Sequence, residues 1–307
     1  MFHEHQVAPY QPIALIPRPS SSVEVVVLCY NAEKWIEQCL RSIFCQVAAP
    51  QVSVVIHDDG STDGTCDLIR EISKDAPFPV TLFSRGKNSL PGGADFFFEL
   101  LSSTSSEFIA ILDGDDYWLN KRKLSEQYGL MSLNPMAALS FHDYAVLQDS
   151  SQRKSVVFPS KLALATLKYF PTLAAENPIG TSTVMFRASS ISKVNMVGRG
   201  DLPFQDFALW AQLAAQNQYI YVPGLTTAYR RHAGGLSNAK DWRQRFVEAR
   251  EVNKWLGPRV EALGRSSIAW SILNSLPSRI LWLVFSRALR RNVDLNLLPK
   301  FVRNPRM

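Results

Sequence analysis

The strongest constraint on the fold is an alternation near the start of the chain. Four apolar runs, "VEVVVLC" (23–29), "VSVVIH" (52–57), "FPVTLFS" (78–84) and "EFIAIL" (107–112), are separated by segments of helical character. In "NAEKWIEQCLRSIFCQ", Trp35, Ile36, Leu40, Ile43 and Phe44 fall at helix-face spacing. "DGTCDLIREISK" and "GGADFFFELLSST" read as the second and third helices. A strand buried on both faces is apolar almost throughout, and parallel strands need crossovers long enough to hold a helix. The pattern therefore predicts an α/β domain built on a parallel sheet with helices on both faces. In such sheets ligands bind beyond the carboxyl ends of the strands. Asp58 and Asp59 follow the second run, and Asp113, Asp115 and Asp116 follow the fourth.

The chain of 307 residues is long enough for one large domain and an appendage. Its 46% hydrophobic and 20% charged residues exclude a disordered or fibrous chain. Cys29, Cys39, Cys45 and Cys66 form no C-x-x-C pair, so reduced thiols and no zinc site are expected. The first 22 residues carry four prolines and read as an irregular extension; they lack the basic-then-apolar order of a signal peptide. The net charge of +6 is unevenly placed. Residues 239–307 hold 14 Lys and Arg against 5 Asp and Glu, whereas residues 1–238 hold 19 against 22. An anionic partner is thus expected for the tail alone. The tail's longest apolar run, Ile280–Phe285, has six residues, against about 20 for a membrane span. It reads as a basic amphipathic helical segment that lies on a surface.

Beyond residue 130 the spacing predicts strands over 137–148 and 181–187, a helix over 204–216, a short strand "YIYVPG" closed by a Pro-Gly turn, and a glycine-rich loop from 228. Four pieces could carry chemistry. "CYNAEKW" and "HDDGSTDGT" stand where a nucleotide can be held, although capped turns would look alike and no G-x-G-x-x-G follows the first strand. Asp113-Gly114-Asp115 offers two carboxylates on one edge of a turn. Magnesium or manganese is bound by one or two carboxylates together with phosphate oxygens and water. Asp206 opens a helix, where it would serve the dipole or act as a general base. Arg230 and Arg231 could pair with phosphate, and His232 could complete a metal site.

In this order, "VVVLCYNAEKWIEQCLRSIFCQ", "VSVVIHDDGSTDGT", "EFIAILDGDDYW", "GTSTVMFRAS", "FQDFALW" and "YRRHAGGLS" strongly resemble the family 2 glycosyltransferases of the GT-A fold. The resemblance covers roughly residues 22–238. It implies one Rossmann-like mixed sheet flanked by helices over 23–238, followed by the helical extension. It also implies a nucleotide-diphospho-sugar donor, a divalent Mn2+ or Mg2+, and inversion at the anomeric carbon. Carried over, Asp59 contacts the base, with Tyr30, Asn31 and Glu33 nearby; Asp113 faces the ribose; Asp115 binds the metal, with Asp116 able to exchange roles. Asp206 takes the place of the catalytic base, His232 approaches metal or diphosphate, and Arg230 binds phosphate. Two departures stand out. Gln205 precedes Asp206 where the family often has Glu, and Asp95-Phe96 replaces an Arg-Asn pair common before the acidic strand; Arg85 or Lys87 is the candidate substitute.

The expected enzyme moves a hexosyl or deoxyhexosyl group from a UDP- or dTDP-sugar to a glycan or lipid-linked hydroxyl in bacterial cell-surface polysaccharide synthesis. It is expected in the cytoplasm, peripheral on the inner membrane face through residues 240–307, with no nucleic-acid partner. A helical cap or homodimer interface is the competing reading of that tail. A sugar nucleotidyltransferase would need a glycine-rich loop after the first strand, which "CYNAEKW" lacks; a non-catalytic nucleotide-sugar-binding module is the other alternative.

Overall fold

A computed structural model describes residues 12–14, 21–47, 50–85, 100–148, 154–157, 179–195, 205–216 and 218–235, with Trp255 and Arg259. The described strands are β1 (Pro12–Ala14), β2 (Val23–Cys29), β3 (Val52–Asp58), β4 (Val80–Ser84), β5 (Phe108–Asp113), β6 (Tyr117–Trp118), β7 (Ala137–Gln148), β8 (Lys154–Val157), β9 (Met185–Arg187) and β10 (Gln218–Arg231). The helices are α1 (Ile36–Phe44), α2 (Thr65–Ile72), α3 (Lys123–Leu133) and α4 (Gln205–Gln216). All ten strands join one sheet in the order β1-β4-β3-β2-β5-β9-β7-β10-β6, with β8 against β7.

The first half matches the alternation read from the sequence: β4, β3, β2 and β5 are mutually parallel. The whole sheet is mixed. β9 lies antiparallel to both β5 and β7, and β10 is parallel to β7. Two antiparallel steps restore direction, so β7 and β10 run the same way as β5. Their carboxyl ends therefore share one edge with those of β2, β3 and β5. Alternate side chains separate the two cores. Val25, Val27, Val54, Ile56, Phe108 and Ala110 pack with Ile36, Leu40 and Ile43 of α1 and Ile69 of α2. Val26, Val55, Ile109 and Ile111 pack with Leu209, Trp210 and Leu213 of α4.

Three local expectations change. Pro12–Ala14, within the expected irregular extension, pairs antiparallel with β4 as an edge strand. Residues 181–187 divide into a 3-10 turn, Thr181–Thr183, and the short β9. The Thr183 N–H and hydroxyl both donate to Gly180 O, at 2.9 and 2.7 Å, and such local bonds compete with strand pairing. The Pro-Gly pair does not end its strand either. β10 continues to Arg231 through an irregularity between Val222 and Leu225. Asp143 on β7 holds it, accepting the Tyr221 hydroxyl at 2.7 Å and the Gly224 N–H at 2.8 Å. Gly224 has φ 143, a conformation that favours glycine. Of the helix expected over 92–104, residues 100–102 are helical and 92–99 lie outside the described residues, as does the basic tail after 238, except that Arg259 lies 3.8 Å over the Trp255 ring. Among the described residues no helix is long and apolar enough to cross a membrane.

Helix α3 carries a buried lysine. Lys123 is 0% exposed, donates to Gln127 Oε1 at 2.7 Å and lies 4.4 Å from the Trp118 ring centroid. Burial lowers its pKa from 10.5 to about 7. His142 on β7 is pushed down to about 3 by burial and by the Lys123 charge. Burial thus favours the neutral form of both groups. Between about pH 7 and 10.5 the unfolded chain holds a Lys123 proton that the folded chain has shed, so stability rises with pH there. The Lys123→Met chain should lack this increment. Urea midpoints measured from pH 7 to 10.5 should rise more steeply for the unaltered chain than for Lys123→Met; parallel curves would contradict the assignment.

Candidate active site

The acidic turn after β5 is built by close backbone approach. Gly114 N–H donates to Leu28 O at 2.7 Å, and Asp116 N–H donates to Asp113 O at 2.9 Å. A Cβ on Gly114 would stand 2.6 Å from Cys29 Cβ and 3.1 Å from Leu28 O, so the position needs glycine. The turn sorts its three carboxylates. Asp116 is 1% exposed and both its oxygens are engaged: Oδ2 accepts from Ser182 Oγ at 2.6 Å and Oδ1 accepts from Arg230 N–H at 2.9 Å. Asp113 N–H donates to Ser182 Oγ at 3.2 Å, and Asp113 Oδ2 stands 3.3 Å from that hydroxyl. Asp115 is 30% exposed. Burial, with the charges of neighbouring carboxylates, raises the pKa of both Asp113 and Asp116, and the Ser182 hydroxyl opposes the rise. Asp206 is among the charges that act on Asp113.

The expected interchange of Asp115 and Asp116 is not symmetric. Asp116 is held inside the protein between Ser182 and β10 and braces the turn. Asp115 is the more exposed of the two, and His232 Nε2 lies 2.9 Å from its Oδ2. His232 stacks on Trp35, ring centroids 4.0 Å apart. Trp35, at the N-cap of α1, packs against the core as its place on the apolar face predicts and also lies against this imidazole. Arg230 donates to Asp115 O and Gln38 Oε1 and lies 4.8 Å from the Tyr117 ring centroid, which brings α1, the acidic turn and β10 together.

The loops after β2 and β3 hold each other. Asn31, at φ 47, donates its N–H to Ser61 Oγ and accepts Thr62 N–H on Oδ1, both at 2.8 Å. Glu33 accepts Gly64 N–H at 3.2 Å, at the start of α2, where a carboxylate suits the dipole. Asp63 accepts Thr65 N–H at 3.1 Å and Glu33 N–H at 3.3 Å, and the N-cap of α2 is Gly64. Asn31 and Glu33 therefore shape the walls, whereas Tyr30 is 43% exposed. Asp58 is fully buried and accepts Ser84 Oγ at 2.8 Å and Ser61 N–H at 3.1 Å. Asp59 faces Arg85, at 3.9 Å; Lys87 and Asp95 lie outside the described residues.

Asp206 stands in the first turn of α4 and accepts the Thr181 hydroxyl on Oδ2 at 3.0 Å. Thr181 and Ser182 have no role assigned from the sequence; their signals are the three hydroxyl residues "TST" and their place in "GTSTVMFRAS", one of the stretches that carry the family resemblance. Among the described residues no three His, Cys, Asp or Glu side chains form a cage for a metal. One exposed carboxylate beside one imidazole nonetheless fits a half-open divalent site whose other ligands are phosphate oxygens and water.

The profile of "Glycosyl transferase family 2" matches residues 24–191, more than half the chain. The protein belongs to that family, and its sheet is that of the GT-A fold. An uncharacterized protein of Mycobacterium tuberculosis is 29% identical over 74% of this chain; the match spans only 64% of that relative. An Escherichia coli relative, "UDP-Glc:alpha-D-GlcNAc-diphosphoundecaprenol beta-1,3-glucosyltransferase WfaP", is 27% identical over 71% of this chain and 80% of its own. Among solved structures, Staphylococcus aureus TarS in complex with UDP-GlcNAc superposes with a TM-score of 0.56 at 17% identity, covering 91% of this chain and 77% of that one. Mannosyltransferase PcManGT from Pyrobaculum calidifontis in complex with GDP-Man and Mn2+ gives 0.53 at 19%, covering 92% and 83%.

The Gly114 contacts generate a test. Gly114→Ala should lower stability by about 1–3 kcal/mol, because both neighbours of the added methyl belong to the packed β2 strand. Denaturant unfolding would read the loss, and a silent substitution would contradict this geometry.

Proposed function

We propose that the protein is a divalent-metal-dependent inverting glycosyltransferase. It takes a sugar from a nucleotide-diphospho-sugar, a UDP-sugar in first place, to a hydroxyl of a glycan or lipid-linked acceptor. One observation carries the reading: Asp206, at the start of α4, accepts the hydroxyl of Thr181, whose chain neighbour Ser182 bonds Asp113 and Asp116, and the acidic turn also carries the Asp115–His232 pair. A candidate base and a candidate diphosphate site thus face one edge. The family membership and the sugar-nucleotide complexes of the fold relatives support the same reaction class. The lipid-linked acceptor is suggested by the name of the E. coli relative, and the basic tail from 239 gives a means of reaching an anionic surface.

In this reading Asp59 and Arg85 border the base, Asp113 faces the ribose, and Arg230 lends positive charge beside the diphosphate. Asp115 and His232 would hold Mn2+ or Mg2+. When bound, such an ion neutralises the charge of a departing diphosphate. Asp206 accepts the proton of the acceptor hydroxyl as that oxygen bonds to the anomeric carbon. The bond from that carbon to the diphosphate oxygen breaks on the opposite face, and the nucleoside diphosphate leaves with the electron pair. Attack from the far side inverts the centre.

Asp206→Asn keeps the shape and removes the proton acceptor. It should lower kcat by roughly a hundredfold or more while UDP affinity stays unchanged; near-normal turnover would reject Asp206 as the base. Asp115→Ala should abolish the Mn2+-dependent gain in UDP affinity measured by calorimetry. If the gain persists, Asp115 is not the metal ligand.

A further inference from the structure

We propose that the 3-10 turn Thr181–Thr183 positions the two halves of the active site, Thr181 setting the base and Ser182 setting the acidic turn. The inference rests on reading Asp206 as the base. Adjacent hydroxyls of one short turn bond two different elements. Thr181 Oγ1 donates to Asp206 Oδ2 at 3.0 Å. Ser182 Oγ donates to Asp116 Oδ2 at 2.6 Å and accepts Asp113 N–H at 3.2 Å. Asp206 comes from α4 and the acidic turn from β5, and these hydrogen bonds tie both to the same turn.

A spacer is useful only if it is rigid, and this one is anchored from three further elements. Ser182 O accepts Trp118 Nε1–H at 2.9 Å from β6 and the Thr227 hydroxyl at 3.2 Å from β10. Thr183 O accepts Gln127 Nε2–H at 3.0 Å from α3. Lys123 donates to Gln127 Oε1, which decides which end of the amide faces Thr183. Gly180 admits no side chain, because a Cβ there would lie 2.9 Å from the Tyr144 ring. Ser182 and Thr183 are 3% and 0% exposed, so water does not compete for these bonds. Thr181 and Ser182 are positioning residues: they act through Asp206 and through Asp113 and Asp116.

The two hydroxyls predict separable kinetic losses. Donor turnover would be followed as UDP release from whichever of UDP-glucose, UDP-galactose and UDP-N-acetylglucosamine the unaltered full chain consumes. Thr181→Val should lower kcat about tenfold or more, with KM for the donor and the Kd of UDP unchanged. Thr181→Ser, which keeps the hydroxyl, should restore kcat to within about threefold. Ser182→Ala should instead raise the Kd of UDP with Mn2+ about tenfold. Should Thr181→Val unfold in a thermal melt, Thr181→Cys, close in volume with a weak donor, takes the same readings. A folded Thr181→Val or Thr181→Cys that turns over like the unaltered chain, a Thr181→Ser as impaired as Thr181→Val, or a Ser182→Ala that binds UDP normally would overturn the proposal. Asp206→Asn separates the failures: if it retains turnover, the base reading falls and this inference with it; if it loses turnover while Thr181→Val does not, only this inference falls.

Discussion

Three carboxylates within four residues, at the end of a strand buried on both faces, repel one another, and the neighbouring structure is organised around holding them. Desolvation raises the cost of each charge, so every one must find a donor or a cation. Asp116 finds Ser182 and a backbone N–H of β10. Asp113 shares the same serine. Asp115 stays at the surface against His232, under a guanidinium that also reaches Gln38. Gly114 lets the turn sit on the backbone of β2, so the cluster can form at that edge at all.

That requirement explains the sheet. A purely parallel sheet would supply β2, β3, β4 and β5 and leave the acidic turn facing solvent on one side. The antiparallel step through β9 brings β7 and β10 back alongside with their carboxyl ends at the same edge. From there come the N–H and guanidinium of Arg230 and the imidazole of His232. The 14-residue β10 reaches that far because Asp143 holds its irregularity at Gly224 within the sheet. Stability and function meet in these bonds, since the groups that quiet the acidic turn also form the walls of the site.

Much of this was legible in the chain. The four apolar runs gave the parallel half, because near-continuous apolarity over six or seven residues suits a strand covered on both faces. The "DGDD" after the fourth run and Asp206 in "FQDFALW" stand out as acids at a strand end or helix start, where charge can be met by dipoles or ligands, and the family resemblance gives them their expected roles. Less legible were groups whose role depends on a distant partner. Trp35 looks like any apolar helix residue until His232 lies against it. Ser182 looks like a polar residue in a loop until two carboxylates converge on it. The "TST" turn was mistaken for strand because local hydroxyl bonding overrode the apolar pattern that follows, and the Pro-Gly pair was mistaken for a stop because a carboxylate on β7 bridges it.

The sequence by itself determined the fold class, the edge of the sheet that carries the site, and the acids gathered there, since each follows from periodicity and local charge. Tertiary structure decided the division of labour. Asp115 and Asp116 are chemically identical neighbours, and only the approach of Ser182 and Arg230 buries one and leaves the other beside His232. The pairing of Thr181 with Asp206, 25 residues apart, is likewise fixed by how α4 docks on the second face of the sheet. Contacts between elements far apart in the chain carry no local pattern, so residue spacing could nominate these groups but not assign their partners.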